Sequence, residues 1–238
     1  MVTNRLENAH PILEAPSVSI LVLDIGGSNV KLRLSGQSRR TKLPTGPDYT
    51  PKRLMKDVKA IAKGWKYDRV SIGVPAPVAD GKIIEEPQNL GPGWVDFRFK
   101  KTFGRPVKLI NDAAMQAVGA YEGGRMLFLS LGTGLGSAFI ADYRVIPMEL
   151  CELRWSKRET IEDRVAKAAL LGLEPETWEE NVHAVVKLLR NSLLPDTIAI
   201  GGGGAKLLER PPKNCRVGDN SWALDGGERL WTDARFRL

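Results

Sequence analysis

The chain has 238 residues, 42% of them hydrophobic, a formal net charge of +7 and two cysteines. This length and apolar content can bury a good core in one domain or two small ones, and two is the expectation here. Cys151 and Cys215 supply neither a disulfide framework nor the paired spacing of a zinc site, so no structural zinc is expected and a reducing cytoplasm is the natural location. Asn4, Glu7 and His10 interrupt the stretch where a signal peptide needs a continuous apolar core, and the apolar run at residues 18–23 is far short of a membrane span. A soluble protein without a membrane partner is expected, and its positive charge favours an anionic one.

In chain order, residues 18–23 predict a strand that ends in a glycine turn, Asp24-Ile25-Gly26-Gly27-Ser28-Asn29. A second strand at 30–34 follows the turn, which excludes the Rossmann and Walker patterns, where a helix must follow. A charged turn, Ser38-Arg39-Arg40, and a Pro- and Gly-rich stretch at 43–48 come next. Pro51 suits the first turn of a helix whose Leu54, Val58 and Ile61 recur on one face. Its outer residues Lys52, Arg53, Lys56, Lys59 and Lys63 form either a guide for an anionic chain or an ordinary solvated face. Residues 70–74 read as a buried strand, stopped at Pro75-Ala76-Pro77 because proline cannot continue a central ladder. Asp80-Gly81 predicts a hairpin turn into Lys82-Ile83-Ile84, and residues 107–110 form the next strand. Asn111-Asp112 ends that strand and opens a helix over 113–121. Asp112 therefore stands at a strand's carboxyl end beside a helix N-terminus, where open α/β sheets place ligands.

The second half repeats this plan. A strand at 126–131 leads into Leu131-Gly132-Thr133-Gly134-Leu135-Gly136, a hairpin spans 136–145, and helices cover about 159–170 and 177–193. A strand at 197–200 then enters Ile200-Gly201-Gly202-Gly203-Gly204-Ala205, and a short helix stops at Pro211-Pro212. The duplication predicts two α/β halves, residues 1–111 and 112–238, with a cleft between them. Without a Cβ in the way, successive amides can approach an anion, so three such turns together read as a phosphate cradle. Two turns face phosphate and the third faces the nucleoside or leaving group.

Asp-x-Gly-Gly-Ser at 24–28, Leu-Gly-Thr-Gly-x-Gly at 131–136 and the late glycine cluster, with Asn111-Asp112 between them, resemble the ROK sugar kinases of the actin-like ATPase and sugar kinase superfamily. The resemblance is strongest to the polyphosphate glucokinase branch and runs over residues 18–231. Asn89-Leu90-Gly91-Pro92-Gly93-Trp94, the stretch 110–136, Arg216-Val217-Gly218-Asp219-Asn220 and Gly226-Gly227-Glu228-Arg229-Leu230-Trp231 carry it. It implies two ribonuclease H-like domains around an interdomain cleft. The first carries one phosphate loop and Asn89, the second the other two glycine loops. It further implies transfer of a phosphoryl group from polyphosphate or ATP to the 6-hydroxyl of glucose or a related hexose, with magnesium, in a homodimer. Nucleic acid is not an expected partner, since no helix-turn-helix is read before the first phosphate loop.

Phosphoryl transfer to a sugar needs aligned phosphates, a metal to bridge their charge and a base for the hydroxyl proton. The resemblance makes Asp112 the base; its position equally suits a helix N-cap. Asp24 either orders magnesium, directly or through water, or stabilises its own turn. The phosphate contacts fall on Asp24, Gly26, Gly27, Ser28 and Asn29, on Gly132, Thr133, Gly134 and Gly136, and on Gly201, Gly202 and Gly203. Lys31 joins them unless strand alternation turns it to solvent. Asn89, Asn111, Asp112, Glu149 and Glu152 form the implied sugar-binding set, because amides and carboxylates can address neighbouring hydroxyls; Asn89 alternatively starts a turn. Glu152 departs from the family, which has a histidine there. An acid beside Glu149, with Asp112 near, leaves open a protonated carboxyl, a bridging cation, a preference for an amino sugar, a silent sugar-binding or regulatory protein, or a Glu152 facing solvent. His183 and His10 are read as non-catalytic, and Trp94 and Trp231 as core or interface.

Overall fold

Every residue of β1 (Ile20–Ile25) is buried, as befits a central strand covered on both faces. The computed structural model describes residues 18–218 and 221–238, so His10 and Asp219-Asn220 lie outside the described residues. β1 pairs antiparallel with β2 (Asn29–Leu34), and β2 with β3 (Thr41–Pro44). α1 (Pro51–Ile61) is capped by Thr50, whose side chain accepts from the Arg53 N–H, and returns the chain to β4 (Arg69–Val74), parallel to β1. A small ribbon of β5 (Val78–Ala79) and β6 (Lys82–Ile83), then α2 (Phe99–Phe103), lead to β7 (Val107–Asn111), parallel to β4.

α3 (Asp112–Ala120) passes to a second sheet of the same design. β8 (Arg125–Leu131), β9 (Leu135–Ala141) and β10 (Arg144–Met148) form an antiparallel meander. α4 (Glu162–Val165), α5 (Lys167–Gly172) and α6 (Pro175–Leu193) cross to β11 (Thr197–Gly201), with β12 (Cys215–Val217) at the far edge and α7 (Ser221–Thr232) after it. The orders β3-β2-β1-β4-β7 and β10-β9-β8-β11-β12 match strand for strand, giving the two ribonuclease H-like sheets that the sequence predicts.

Side-chain alternation divides β1 between two cores. Leu21, Leu23 and Ile25 pack with Leu54 and Val58 of α1, while Ile20 and Val22 face a central core shared with Phe128 and Ile140 of the second sheet and with α3 and α7. A third core, including Leu127, Leu129, Trp178 and Val182, lies between the second sheet and α6. The layers therefore run α1, sheet, α3 with α7, sheet, α6.

Within the middle layer, glycines let backbones touch. A methyl at Gly119 would collide with the Trp222 carbonyl, one at Gly226 with the Met115 carbonyl, and one at Gly227 with the Val22 side chain. Polar contacts hold α7 against the first sheet: Ser71 Oγ donates to the Gly227 carbonyl at 2.6 Å and accepts from Trp231 Nε1 at 2.9 Å. Arg33 reaches Asp225 at 2.6 Å and Glu228 at 2.8 Å. Arg69 and Lys108 both lie against the Trp231 ring.

Several elements differ from the sequence pattern. Residues 41–44 form an edge strand where only a Pro- and Gly-rich stretch is read, because β2 supplies partners for four residues before the glycine at 46. The hairpin expected at 136–145 is preceded by another, in which β8 and β9 pair directly around Gly132-Thr133-Gly134; the later one turns on Asp142 and Tyr143, both at positive φ. The helix expected over 159–170 breaks at Ala166, whose backbone is extended. The helix after the glycine cluster is a single 3-10 turn, Gly204–Leu207, and ends before the prolines. α7 carries no helical signal in the sequence because two adjacent glycines weaken it.

Gly226→Ala is expected to lower the unfolding free energy by about 3 kcal/mol, the range for forcing atoms into a closed contact. Urea titration would show a lower midpoint at constant slope. Gly172→Ala, with open space around it, is the control and should move the midpoint little.

Candidate active site

The first glycine turn joins β1 to β2 at the end of its sheet. The Gly26 N–H donates to the Asn29 carbonyl at 2.9 Å and closes the turn. Thr45 holds it from behind, its hydroxyl donating to the Gly26 carbonyl at 2.7 Å and its N–H to the Ser28 carbonyl at 3.0 Å. With those carbonyls engaged, Gly27, Ser28 and Asn29 line a cleft of about 780 Å³ between the two sheets.

The second turn joins β8 to β9 in the corresponding place. Gly132 and Gly134 close it at 3.0 Å, the Lys167 N–H donates to the Gly132 carbonyl at 3.0 Å, and Glu162 Oε2 accepts from the Leu135 N–H at 2.7 Å. The two turns meet across the cleft, where the Ser28 and Thr133 hydroxyls are 3.4 Å apart. From the third cluster Gly202, at φ +84°, and Gly203 line the same space. Gly201 does not: it is the buried last residue of β11, with the Phe128 ring where its Cβ would be. Gly201 thus lies behind the cleft lining rather than in it.

Asp112 sits where β7 gives way to α3. Asn111, not Asp112, is the N-cap, its Oδ1 accepting from the Ala114 N–H at 3.0 Å while Nδ2 donates toward the Ala76 carbonyl at 3.4 Å. Asp112 Oδ1 accepts from the next N–H, that of Ala113, at 2.8 Å. Two absent side chains seat this first helical turn between the sheets. A methyl on Gly73 of β4 would lie 2.6 Å from Met115 Cε and 3.3 Å from Asp112 Cα, and one on Gly136 would lie 2.8 Å from Ala113 Cβ.

β1 pairs Asp24 with Gly73, so Asp24 and Asp112 are neighbours across a residue that has no side chain. Asp24 is only 4% exposed and is paired at 2.6 Å with Lys31, the residue directly opposite it in β2. Lys31 thus points into the cleft rather than to solvent. Loss of water, and then the Asp24 charge, push the Asp112 carboxyl up to about 7; Glu149 adds to the shift, while the Ala113 N–H and Lys31 oppose it.

On the opposite wall, Glu149 precedes a 3-10 turn, Leu150–Glu152, and both it and Glu152 line the cleft, both exposed at its surface. Desolvation, reinforced by Glu152, Glu162 and Glu85, raises the Glu149 carboxyl against the hydrogen bond it receives from the Cys151 thiol at 3.5 Å. Desolvation, then Glu149, Glu162 and Glu152, push that thiol up to about 12. Asn89 also lines the cleft and rests against the first turn, its Cβ 2.9 Å from where a Gly27 methyl would be.

The cleft thus gathers every residue of the expected site except Gly201. It adds Lys42, Glu85, Glu86, Glu162 and Lys167, which the sequence reading does not single out. Lys42 stands opposite Lys31 on β3, so the alternation of residues 41–44 is the signal that would find it. Glu162 and Lys167 flank the break between α4 and α5, which has no local signature. His183 bonds to the Arg210 carbonyl at 2.7 Å and does not line the cleft, and Trp94 is buried in the core, as expected.

Because the folded-state pKa of Asp112, about 7, exceeds its ordinary 3.8, folding is favoured by its proton at low pH. That contribution is lost as pH rises through about 7. Asp112→Asn should therefore be more stable than the native chain at about pH 8, with the difference shrinking toward about pH 4, in urea titrations at both.

The chain is similar to a known family, a curated relative and two solved structures. The description "ROK family" matches residues 20–147, more than half of the chain. The polyphosphate glucokinase of Mycobacterium leprae (strain TN) is 28% identical over 211 residues, which are 79% of this chain and 64% of that protein. The chain thus spans just under two thirds of that relative's length. The inorganic polyphosphate/ATP-glucomannokinase of Arthrobacter sp. strain KM has the same fold, with a TM-score of 0.76 and 20% identity over 90% of this chain and 98% of that one. A ROK family glucokinase from Streptomyces griseus, in complex with glucose and AMPPNP, gives 0.72 and 16% identity over 89% and 98%.

Proposed function

The chain belongs to the ROK family, and on that premise we propose that it is a sugar kinase, passing a phosphoryl group from polyphosphate or ATP to the 6-hydroxyl of glucose or a related hexose. The observation that carries this reading is Asp112. Its carboxyl, raised to about 7, faces a cleft whose mouth is formed by two glycine turns in hydroxyl contact.

A carboxyl that ionises near working pH can take a hydroxyl proton as the oxygen attacks. The donor phosphates would lie along Gly26, Gly27, Ser28 and Asn29 on one side and Gly132, Thr133, Gly134 and Gly136 on the other, where backbone amides and two hydroxyls can donate to them. Gly202 and Gly203 would face the nucleoside or leaving end. Lys31, Lys42 and Lys167 line the same cleft and supply positive charge for an anionic donor. Asn89, Glu149, Glu152 and Asp112 would address the sugar hydroxyls, while Asn111, whose Oδ1 is committed to capping α3, would keep Asp112 in place.

Asp24 would hold magnesium, directly or through water, since a carboxylate offers the hard oxygen such an ion prefers. When bound, the ion supplies neutralisation of phosphate charge. Among the described residues no helix is long and apolar enough to cross a membrane. A cytoplasmic homodimer belongs to the same proposal on family likeness. Glu149 and Glu152 favour a second reading, in which so acidic a wall holds a sugar that is not turned over.

Purified protein with magnesium would be given glucose, mannose or glucosamine against ATP and polyphosphate. Sugar phosphate is expected, with turnover lowered about 100- to 10,000-fold in Asp112→Asn. Native turnover should rise with pH through about 7, as Asp112 loses its proton. Sugar binding without product in any pairing would overturn the kinase reading in favour of the second.

A further inference from the structure

Glu86 stands apart from the other carboxylates of the cleft because three successive backbone amides converge on it. Both of its oxygens accept from the Gly93 N–H at 3.1 Å, Oε2 from the Trp94 N–H at 3.0 Å, and Oε1 from the Val95 N–H at 3.3 Å. Successive amides converging on one anion form a nest, and Gly93 at φ +96° turns them to the same side. The segment closed by this clamp carries Asn89.

Beyond this clamp the segment is fixed by the burial of Pro87, Leu90, Gly91 and Trp94 and by a few backbone contacts. Residues 84–98 contain neither helix nor strand. Gly91 donates to the Tyr49 carbonyl at 3.1 Å, Leu90 to the Pro87 carbonyl at 3.3 Å, and Trp94 is buried in the core under α1. From this base Asn89 leans on Gly27 of the first phosphate turn. Charge-assisted bonds to amides are stronger than neutral ones, so Glu86 is the firmest polar tie of the loop.

We infer that Glu86 is a positioning residue for sugar binding: its carboxylate, held by the amides of residues 93–95, fixes the loop that presents Asn89 beside the phosphate turn. The inference rests on the sugar-kinase reading of this cleft. With both oxygens engaged by the backbone, Glu86 acts through Asn89 rather than on the sugar.

The test is a cycle of Glu86→Ala, Asn89→Ala and the double variant, with sugar and donor KM, kcat and thermal unfolding measured for each. Glu86→Ala is expected to raise the sugar KM about tenfold with kcat and donor KM little changed, the pattern of lost ground-state binding. The double variant should be no worse than Asn89→Ala alone, since residues acting in series are not additive. Glu86→Gln, which keeps one acceptor oxygen, should fall between, and serves as the readout if Glu86→Ala unfolds at the assay temperature. An unchanged sugar KM, a joint rise in both KM values, or full additivity with Asn89→Ala would overturn the inference. If the native chain forms no product, the kinase reading fails, and the same cycle is read from glucose Kd by calorimetry. A native chain that neither turns over nor binds sugar overturns both.

Discussion

The crossing of α3 and α7 is the contact on which the rest of the molecule depends. Each helix follows the last strand of one sheet, and each lies against the other at a distance that only glycine permits, with Gly119 under the Trp222 carbonyl and Gly226 under the Met115 carbonyl. The contact costs helix propensity at two positions, yet it brings two sheets within reach of a single central core. Since α3 begins with Asp112, the same crossing sets the depth of the site. The first turn of α3 meets β4 at Gly73 and β9 at Gly136, one from each sheet, and the carboxyl is left at the seam.

The seam is also what makes the carboxyl unusual. Gly73 separates Asp24 from Asp112 with no side chain between, and Lys31 is spent on Asp24 at 2.6 Å. One carboxylate of the pair has an ion-pair partner and the other has only the Ala113 N–H in contact. Burial then raises the second while the first keeps its ion pair, so two chemically identical groups are set apart by which strand faces them. The opposite wall has no such division: burial and the charges of Glu152, Glu162 and Glu85 raise the Glu149 carboxyl, and the thiol of Cys151 is drawn in as a donor.

Much of this was legible in the sequence where the signal is local. Apolar runs ending in glycine mark β1, β8 and β11 and the turns that follow, and the Asn111-Asp112 pair between strand and helix marks the site. What the sequence hid depends on distant partners. Gly226-Gly227 argues against a helix until the Met115 carbonyl and Val22 are seen beneath it. Asp112 reads as a cap until Asn111 is found to accept the Ala114 N–H. Gly201 resembles its neighbours in the cluster, but Phe128 occupies the space its side chain would need. Lys31 follows from register: strand alternation leaves its direction open, and pairing with Asp24 decides it.

The hydroxyls of Ser28 and Thr133 stand 3.4 Å apart, longer than a good hydroxyl pair, and they are exposed. Such a contact is worth no more than about 1 kcal/mol, comparable to thermal energy. The back of the molecule is closed by backbone against backbone and its front by one slack pair of hydroxyls. Stiffness is therefore graded along the cleft: little holds the two glycine turns to each other, while close backbone contacts keep the helices behind them in register.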